Sequence, residues 1–373
     1  MEKTIRPINR LFSQLFINAA QQSNTNPILD SECIYNLLRI ICPAAYKDTF
    51  KKINESGLYE MLRRIPRSSP NFFQNIGLTL IPAHEMRNID YKYTEDVKNS
   101  FGSPFNILPI PNNKIDIDRI NEWLKSQNDD TDFTEISNDG LDEVCRFTFW
   151  TKSTFTAEWE FGFSPSDTEL VNFSTREGRT EVTMMKRHRG ARLNAIFNVK
   201  FGILSCNTYK FPYNGGMSMI VIIPRMPRGK DELVNEIIAD PAIFEVIEKQ
   251  IYNKTETKFD YIEMPKFRIK RQYRLNEAFS KTRQLSALVE MPVDVRGVLI
   301  NKRDPPPESV NSVTTIDIKN DETGTKVVST AMSVYTDGPG SDKYLYLRTP
   351  FVYIICDDET KKISVMGIFT GPD

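Results

Sequence analysis

Apolar residues recur at helical spacing through the first third of the chain. Over residues 1–22, Ile8, Leu11, Phe12, Leu15, Phe16 and Ala19 fall three or four apart, with Ser13, Gln14 and Asn18 between them, which predicts an amphipathic helix. Residues 30–41 place Cys33, Ile34, Leu37, Leu38 and Ile41 on one helical face, and Pro43 is expected to stop that helix. A further short helix is predicted over 117–126, with Ile120, Trp123 and Leu124 turned inward.

From Cys145 the period changes. Residues 145–156 are rich in Phe, Thr and Trp, as strands are. Residues 217–223 form a nearly continuous apolar run after Gly215-Gly216 and before Pro224, which reads as a buried strand following a tight turn. A helix over 232–251 is followed by strands over 258–269, 351–356 and 363–369. Arg303 to Pro307 reads as a stiff surface connection. Helices followed by mixed strands, without βαβ alternation, predict an α+β fold.

Composition narrows the class. The 373 residues are 40% hydrophobic and 26% charged, so a sizeable core is affordable. A net charge of -1 gives no reason to expect nucleic acid or an anionic membrane as the main partner. No run approaches the roughly 18 apolar residues that span a bilayer. Five scattered cysteines without a CxxC argue against a disulfide framework or a zinc site, and fit a reducing compartment. The N-terminal segment lacks a continuous apolar stretch and a small-residue cleavage site, so a cytoplasmic protein is expected, with leaderless export left open.

Catalytic chemistry is sparse. His84 and His188 are the only histidines, and no nucleophile elbow, HExxH, Walker A or GxGxxG motif occurs. Residues 184–189, Met-Met-Lys-Arg-His-Arg, read as a solvated basic turn and not as a phosphate or sulfated-glycan site.

A set of short motifs, in order from about residue 120 to 372, resembles the serpin family. Ile120-Asn121-Glu122-Trp123-Leu124 is similar to a helix motif of that family, and Phe155-Thr156-Ala157-Glu158-Trp159 with Phe163, Thr168 and Phe173 to its signature near the top of the main sheet. Val182-Thr183-Met184-Met185, Phe211-Pro212-Tyr213-Asn214-Gly215, Met264-Pro265-Lys266-Phe267, Glu322-Thr323-Gly324-Thr325, Pro350-Phe351-Val352 and Val365-Met366-Gly367 follow in family order. The resemblance implies one serpin domain over 1–373, with helices packed on three mixed β-sheets and an exposed reactive-centre loop at about 324–344. It also implies suicide inhibition of a target serine protease: the loop is cut, and its hinge inserts into the main sheet as a new strand. No catalytic residue, metal or cofactor is expected, because that work is conformational. A monomer is expected, with loop–sheet polymers as its hazard.

The hinge is Glu322, Gly324, Thr325, Val327, Ser329 and Ala331. With Thr325 inward, period-two alternation sends Val327, Ser329, Ala331 and Ser333 inward too, all compact, and leaves Lys326 outward. Gly324 is expected to free the backbone for the pivot, and Trp159 to mark where the sheet opens. Family spacing puts the reactive-site bond at Gly338-Pro339, with Tyr335-Thr336 for a chymotrypsin-like or cathepsin G-like pocket and Lys343-Tyr344 for a trypsin-like one as alternatives. Val327-Val328, where inhibitory members favour alanine, and the Gly-Pro tip leave open a non-inhibitory member that binds, stores or chaperones. Two departures stand out. Thr151 occupies about the place of an asparagine in the family's polar latch, and Ser31-Glu32-Cys33 replaces its serine turn.

Overall fold

The first predicted helix forms as α1 (Glu2–Ala20), and Ile8, Leu11, Phe12, Leu15, Phe16 and Ala19 are all buried along it. This is a computed structural model, which describes residues 2–67, 69, 71–101, 104–110, 117–126, 147–188, 191–253, 255–290, 293–302, 312–326 and 344–372. After α1 come β1 (Ile28–Asp30), α2 (Ser31–Ala44), α3 (Lys47–Glu55) and α4 (Leu58–Arg64). Next are β2 (Phe73–Pro82), α5 (Tyr91–Phe101), β3 (Phe105–Ile110), α6 (Ile117–Ser126) and β4 (Thr148–Glu158). A run of strands follows: β5 (Glu169–Ser174), β6 (Arg179–Arg187), β7 (Ala191–Phe201), β8 (Leu204–Pro212) and β9 (Met217–Pro224). Then come α7 (Lys230–Leu233), α8 (Ala242–Tyr252), β10 (Glu256–Phe259), β11 (Tyr261–Pro265), β12 (Phe267–Arg274) and α9 (Leu275–Ser280). The last strands are β13 (Val313–Asn320), β14 (Gly324–Lys326), β15 (Tyr344–Tyr346), β16 (Phe351–Asp357) and β17 (Ile363–Phe369).

The α+β expectation holds, with three sheets ordered β1-β17-β16-β9-β8-β7-β10, β15-β11-β6-β5 and β12-β13-β14-β4-β2-β3. The chain divides into two compact units, residues 1–30, 155–271 and 316–373 forming one and residues 31–154 and 272–315 the other. In the first unit, the seven-stranded sheet includes the predicted β9, with Gly215 and Gly216 both at left-handed φ in the turn before it. Tyr353 and Phe369 meet Phe267, and Phe351 meets both of them, as an aromatic centre, with Phe267 and Phe369 stacked at 4.9 Å. In the second unit, β2 and β3 pair in parallel, and Leu78, Leu80 and Ile110 pack under Ile117 and Ile120 of α6, with Trp123 and Trp150 against them.

Several elements differ from expectation. Residues 73–82 form a buried strand inside a stretch that read as helical. The helix α2 is buried on every face, including Glu32, Asn36 and Arg39, and Pro43 lies in its last turn instead of stopping it. Proline cannot donate to the carbonyl four residues back; that oxygen, on Arg39, has the Ser100 hydroxyl at 3.3 Å. The helix expected over 232–251 breaks at Asp240-Pro241, where Asp240 Oδ1 takes the Ala242 N–H at 2.9 Å and starts α8 afresh. Residues 258–269 divide among β10, β11 and β12, with turns at Asp260 and Lys266. The basic stretch is no turn: Met184, Met185 and Lys186 are buried in β6, and Lys186 pairs with Glu169 and Glu263. The connection beginning at Arg303 and Cys145 lie outside the described residues.

Candidate functional site

The chain reaches the loop through a tight hairpin. Asp321 Oδ1 accepts the Thr323 N–H at 3.0 Å and the Gly324 N–H at 3.3 Å, an Asx arrangement that turns β13 into β14. β14 is then paired on both sides: Asn320↔Thr325 and Lys319↔Lys326 toward β13, Gly324↔Glu158, Thr325↔Ala157 and Lys326↔Thr156 toward β4. Thr325 is fully buried, as the inward alternation requires. In this state Gly324 is required by size. A Cβ there would stand 2.0 Å from Ala157 O and 2.7 Å from Glu158 Cα, and its φ is not in the left-handed region.

Thr325 belongs to a directional chain of hydrogen bonds. It donates to Asn320 Oδ1 at 3.1 Å and therefore receives the Tyr213 hydroxyl at 2.6 Å, while Asn320 Nδ2 donates to Pro265 O at 2.9 Å. Burial pushes the Tyr213 phenol well above its ordinary range, which keeps it a donor. Trp159 covers this corner. Its ring stacks on Tyr213 at 4.4 Å and 15°, its Nε1 donates to Asp321 O at 3.0 Å, and its backbone N–H to Thr323 O at 2.9 Å. Both its indole and its main chain hold the hairpin.

Glu322 lies in the same corner, buried, with its carboxylate taking Lys266 Nζ at 2.9 and 3.0 Å and Thr168 Oγ1 at 2.7 Å. Its carbonyl accepts the Phe163 N–H at 2.8 Å. Thr168 and Lys266 appeared in the sequence only as motif positions; their shared acidic partner was not foreseen.

The loop's far end is held differently. Tyr344 opens β15, which runs parallel to β11 in the register Tyr261↔Tyr344. Tyr344 and Tyr346 stack at 5.8 Å beside Tyr261. Behind them the fully buried Glu263 takes Arg348 Nη2 at 2.7 Å and Nε at 2.5 Å, and also bonds the Tyr261 hydroxyl. That carboxylate holds the Arg348 proton more firmly than usual, chiefly through these hydrogen bonds. Of the expected bait residues only Tyr344 is described; Tyr335, Thr336, Gly338, Pro339 and Lys343 lie outside the described residues, as do the hinge positions Val327, Ser329 and Ala331.

Residues 33–372 match the family described as Serpin (serine protease inhibitor). The chain belongs to the serpin family. A curated relative, "Serine protease inhibitor 42Dd" of Drosophila melanogaster, is 22% identical over 284 residues, 75% of this chain and 71% of its own. The crystal structure of Serpin48 from the insect Tenebrio molitor aligns over 100% of this chain and 99% of its own, with TM-score 0.75 and 15% identity. Thyroxine-binding globulin in complex with thyroxine aligns over 99% and 98%, with TM-score 0.75 and 15% identity. Serpins as a family are serine protease inhibitors, with a target protease as partner.

The positions where the sequence departs from the family pattern, Thr151 and Cys33, lie side by side. Thr151 Oγ1 donates to Cys33 O at 2.8 Å, Cys33 Sγ to Thr151 O at 3.3 Å, and Thr314 Oγ1 to Cys33 Sγ at 3.6 Å. Thr151 and Cys33 are thus each other's partners, with the Cys33 sulfur as the atom shared with Thr314. Thiol hydrogen bonds are weaker than those of hydroxyls.

Proposed function

We propose that this serpin is a suicide inhibitor of a chymotrypsin-like or cathepsin G-like serine protease. A protease cuts the loop within residues 327–343, and the hinge then extends β14 between β13 and β4 before the acyl-enzyme hydrolyses. The observation that carries this reading is the two-sided pairing of Gly324–Lys326, which seeds an insertion. Val327, Ser329 and Ala331 continue the face that Thr325 already buries. The bond is Gly338-Pro339 by family spacing, with Tyr335-Thr336 as the alternative a chymotrypsin-like pocket prefers. Tyr344 opens β15, which counts against Lys343-Tyr344. Under this reading the protein works as a monomer, in the cytoplasm.

The test is incubation with chymotrypsin and cathepsin G, followed by denaturing gel electrophoresis and mass spectrometry of the loop. A covalent complex stable in SDS is expected, together with a large rise in melting temperature once the loop is cut. Clean cleavage without complex, and without a gain in melting temperature, would sink the proposal.

A non-inhibitory binding role is the second reading. It is favoured by an open groove of about 860 Å³ beside α8, where Phe197 and Tyr252 are exposed. Thyroxine-binding globulin, of like fold, has been solved in complex with thyroxine. Under this reading the cut loop leaves the melting temperature nearly unchanged.

A further inference from the structure

The buried helix α2 carries an arginine enclosed without a carboxylate partner among the described residues. Arg39 retains only 5% of its surface. Its Nη1 donates to Asn36 Oδ1 at 2.9 Å and its Nη2 to Ile65 O at 3.3 Å, which uses two of the five N–H groups of a guanidinium. It makes no ion pair among the described residues. Burial works against its charge, Glu32, two turns earlier on α2, offsets part of this, and Arg67 adds to the opposition.

Arg39 lines a cavity of about 310 Å³ framed by α2, α4 and α5. Arg63 and Arg67 line the same cavity, and Asp96 is the one carboxylate among the lining residues. Arg67 Nη2 is held by Asn99 O at 2.6 Å, and the Arg63 guanidinium lies 5.1 Å from the centre of the Tyr59 ring. Neither arginine is ion-paired among the described residues. Three guanidinium groups therefore line one small cavity with a single carboxylate, Arg39 desolvated and with donors to spare, Arg63 and Arg67 exposed.

We propose that this cavity binds a small dianionic ester, a phosphate or sulfate monoester, with Arg39 at the base presenting its fork to the ester oxygens and Arg67 completing the charge. Planar guanidinium groups match such oxygens two at a time, which a lysine ammonium does not. The volume is at the lower end of the roughly 300–1,000 Å³ typical of small-ligand pockets, which suits a single ester on a compact body and not a polymer. The Tyr59 ring supplies an apolar wall for that body. This site stands apart from the loop and does not depend on whether the serpin inhibits.

The test uses the full chain at constant ionic strength. Phenyl phosphate and phenyl sulfate are titrated by calorimetry and by melting temperature, with chloride and phenol as controls and a sulfated oligosaccharide as the polymeric arm. Saturable binding of one ester per chain is expected, raising the melting temperature as ligand linkage requires; the tighter of the two esters identifies the natural source. Arg67→Ala, at an exposed position, should weaken binding about tenfold, Arg39→Lys should weaken it despite keeping the charge, and Asp96→Asn should tighten it. The proposal is overturned by a shift no larger than that of chloride. It is equally overturned by ester binding indifferent to both Arg67→Ala and Asp96→Asn, or by oligosaccharide binding with which phenyl phosphate does not compete. If Arg39→Lys fails to fold, the Arg67 and Asp96 variants carry the test.

Discussion

The hydroxyls of Tyr213 and Thr325 lie 2.6 Å apart, and Thr325 passes its own proton on to Asn320 Oδ1 at 3.1 Å. Both residues are buried. Thr325→Val conserves volume but strands two polar groups, each costing about 1–3 kcal/mol when left unsatisfied. We expect it to destabilise the serpin by about 2 kcal/mol or more in urea unfolding. Adding Tyr213→Phe removes one stranded group, so the double variant should recover about 1 kcal/mol relative to additivity. Strictly additive losses would show that the two hydroxyls do not interact in solution.

The Glu322 carboxylate is held by Lys266 and Thr168, and removing the lysine leaves a buried anion with one hydroxyl. Breaking a buried pair from one side costs about 3–5 kcal/mol. Lys266→Met should accordingly lower stability by several kcal/mol, while Glu322→Gln, which keeps an acceptor for Thr168, costs less. Because this corner anchors the hairpin into β14, loosening it also frees a sheet edge for another molecule's strand-prone loop. Mild heating followed by native gels should show polymers sooner in Lys266→Met than in the wild type. A variant that melts early yet stays monomeric would separate the ion pair from self-association.

What the sequence made legible here followed from local order. Trp159, Glu322, Gly324 and Thr325 sit in short motifs, and Thr325, the position taken as inward, is buried. Their partners were not legible, because Thr168 and Lys266 meet Glu322 across separations of 154 and 56 residues. Such pairings depend on which strands become neighbours. The same holds for Lys186, which looked like part of a solvated basic turn until two acids arrived from β5 and β11. The strand β2 was missed because a short apolar run such as Leu78–Leu80–Ile81 has no period of its own. Pro43 misled because a proline can occupy a last helical turn when the orphaned carbonyl finds another donor nearby.

Asp294 gives the pH dependence a definite sign. Burial alone would raise its carboxyl, but Arg296 donates from Nε at 2.9 Å, from Nη2 at 2.7 Å and from its backbone at 3.2 Å, and these hold it below the usual carboxylate range. A depressed folded value means the stabilisation is complete above the unfolded value of about 3.9 and is lost as pH falls through the lower folded one. Asp294→Asn should therefore cost on the order of 3 kcal/mol at pH 7. Its deficit against the wild type should shrink as urea midpoints are followed from pH 5 down through pH 3. A deficit that stays constant over that range would mean the carboxylate charge is not what Arg296 recognises.

Gly324 offers the sharpest separation of fold from function. The nearest atoms to a Cβ at this position are backbone, Ala157 O at 2.0 Å and Glu158 Cα at 2.7 Å, so no rotamer change relieves the clash. An alanine must push β14 away from β4 or force the strands apart, and overpacking of this kind costs about 1–3 kcal/mol. Thr323→Ala, one residue earlier and exposed, is the neutral control. If the pairing Gly324↔Glu158 seeds insertion, Gly324→Ala slows that step while leaving cleavage of the loop untouched. Insertion competes with hydrolysis of the acyl-enzyme, so more inhibitor molecules should be consumed per protease trapped, and the cut protein should gain less in melting temperature. Equal melting temperatures for Gly324→Ala and the wild type would deny the close register of β14 on β4 itself. A loss of stability with unchanged stoichiometry of inhibition would keep that register and remove it from the insertion step.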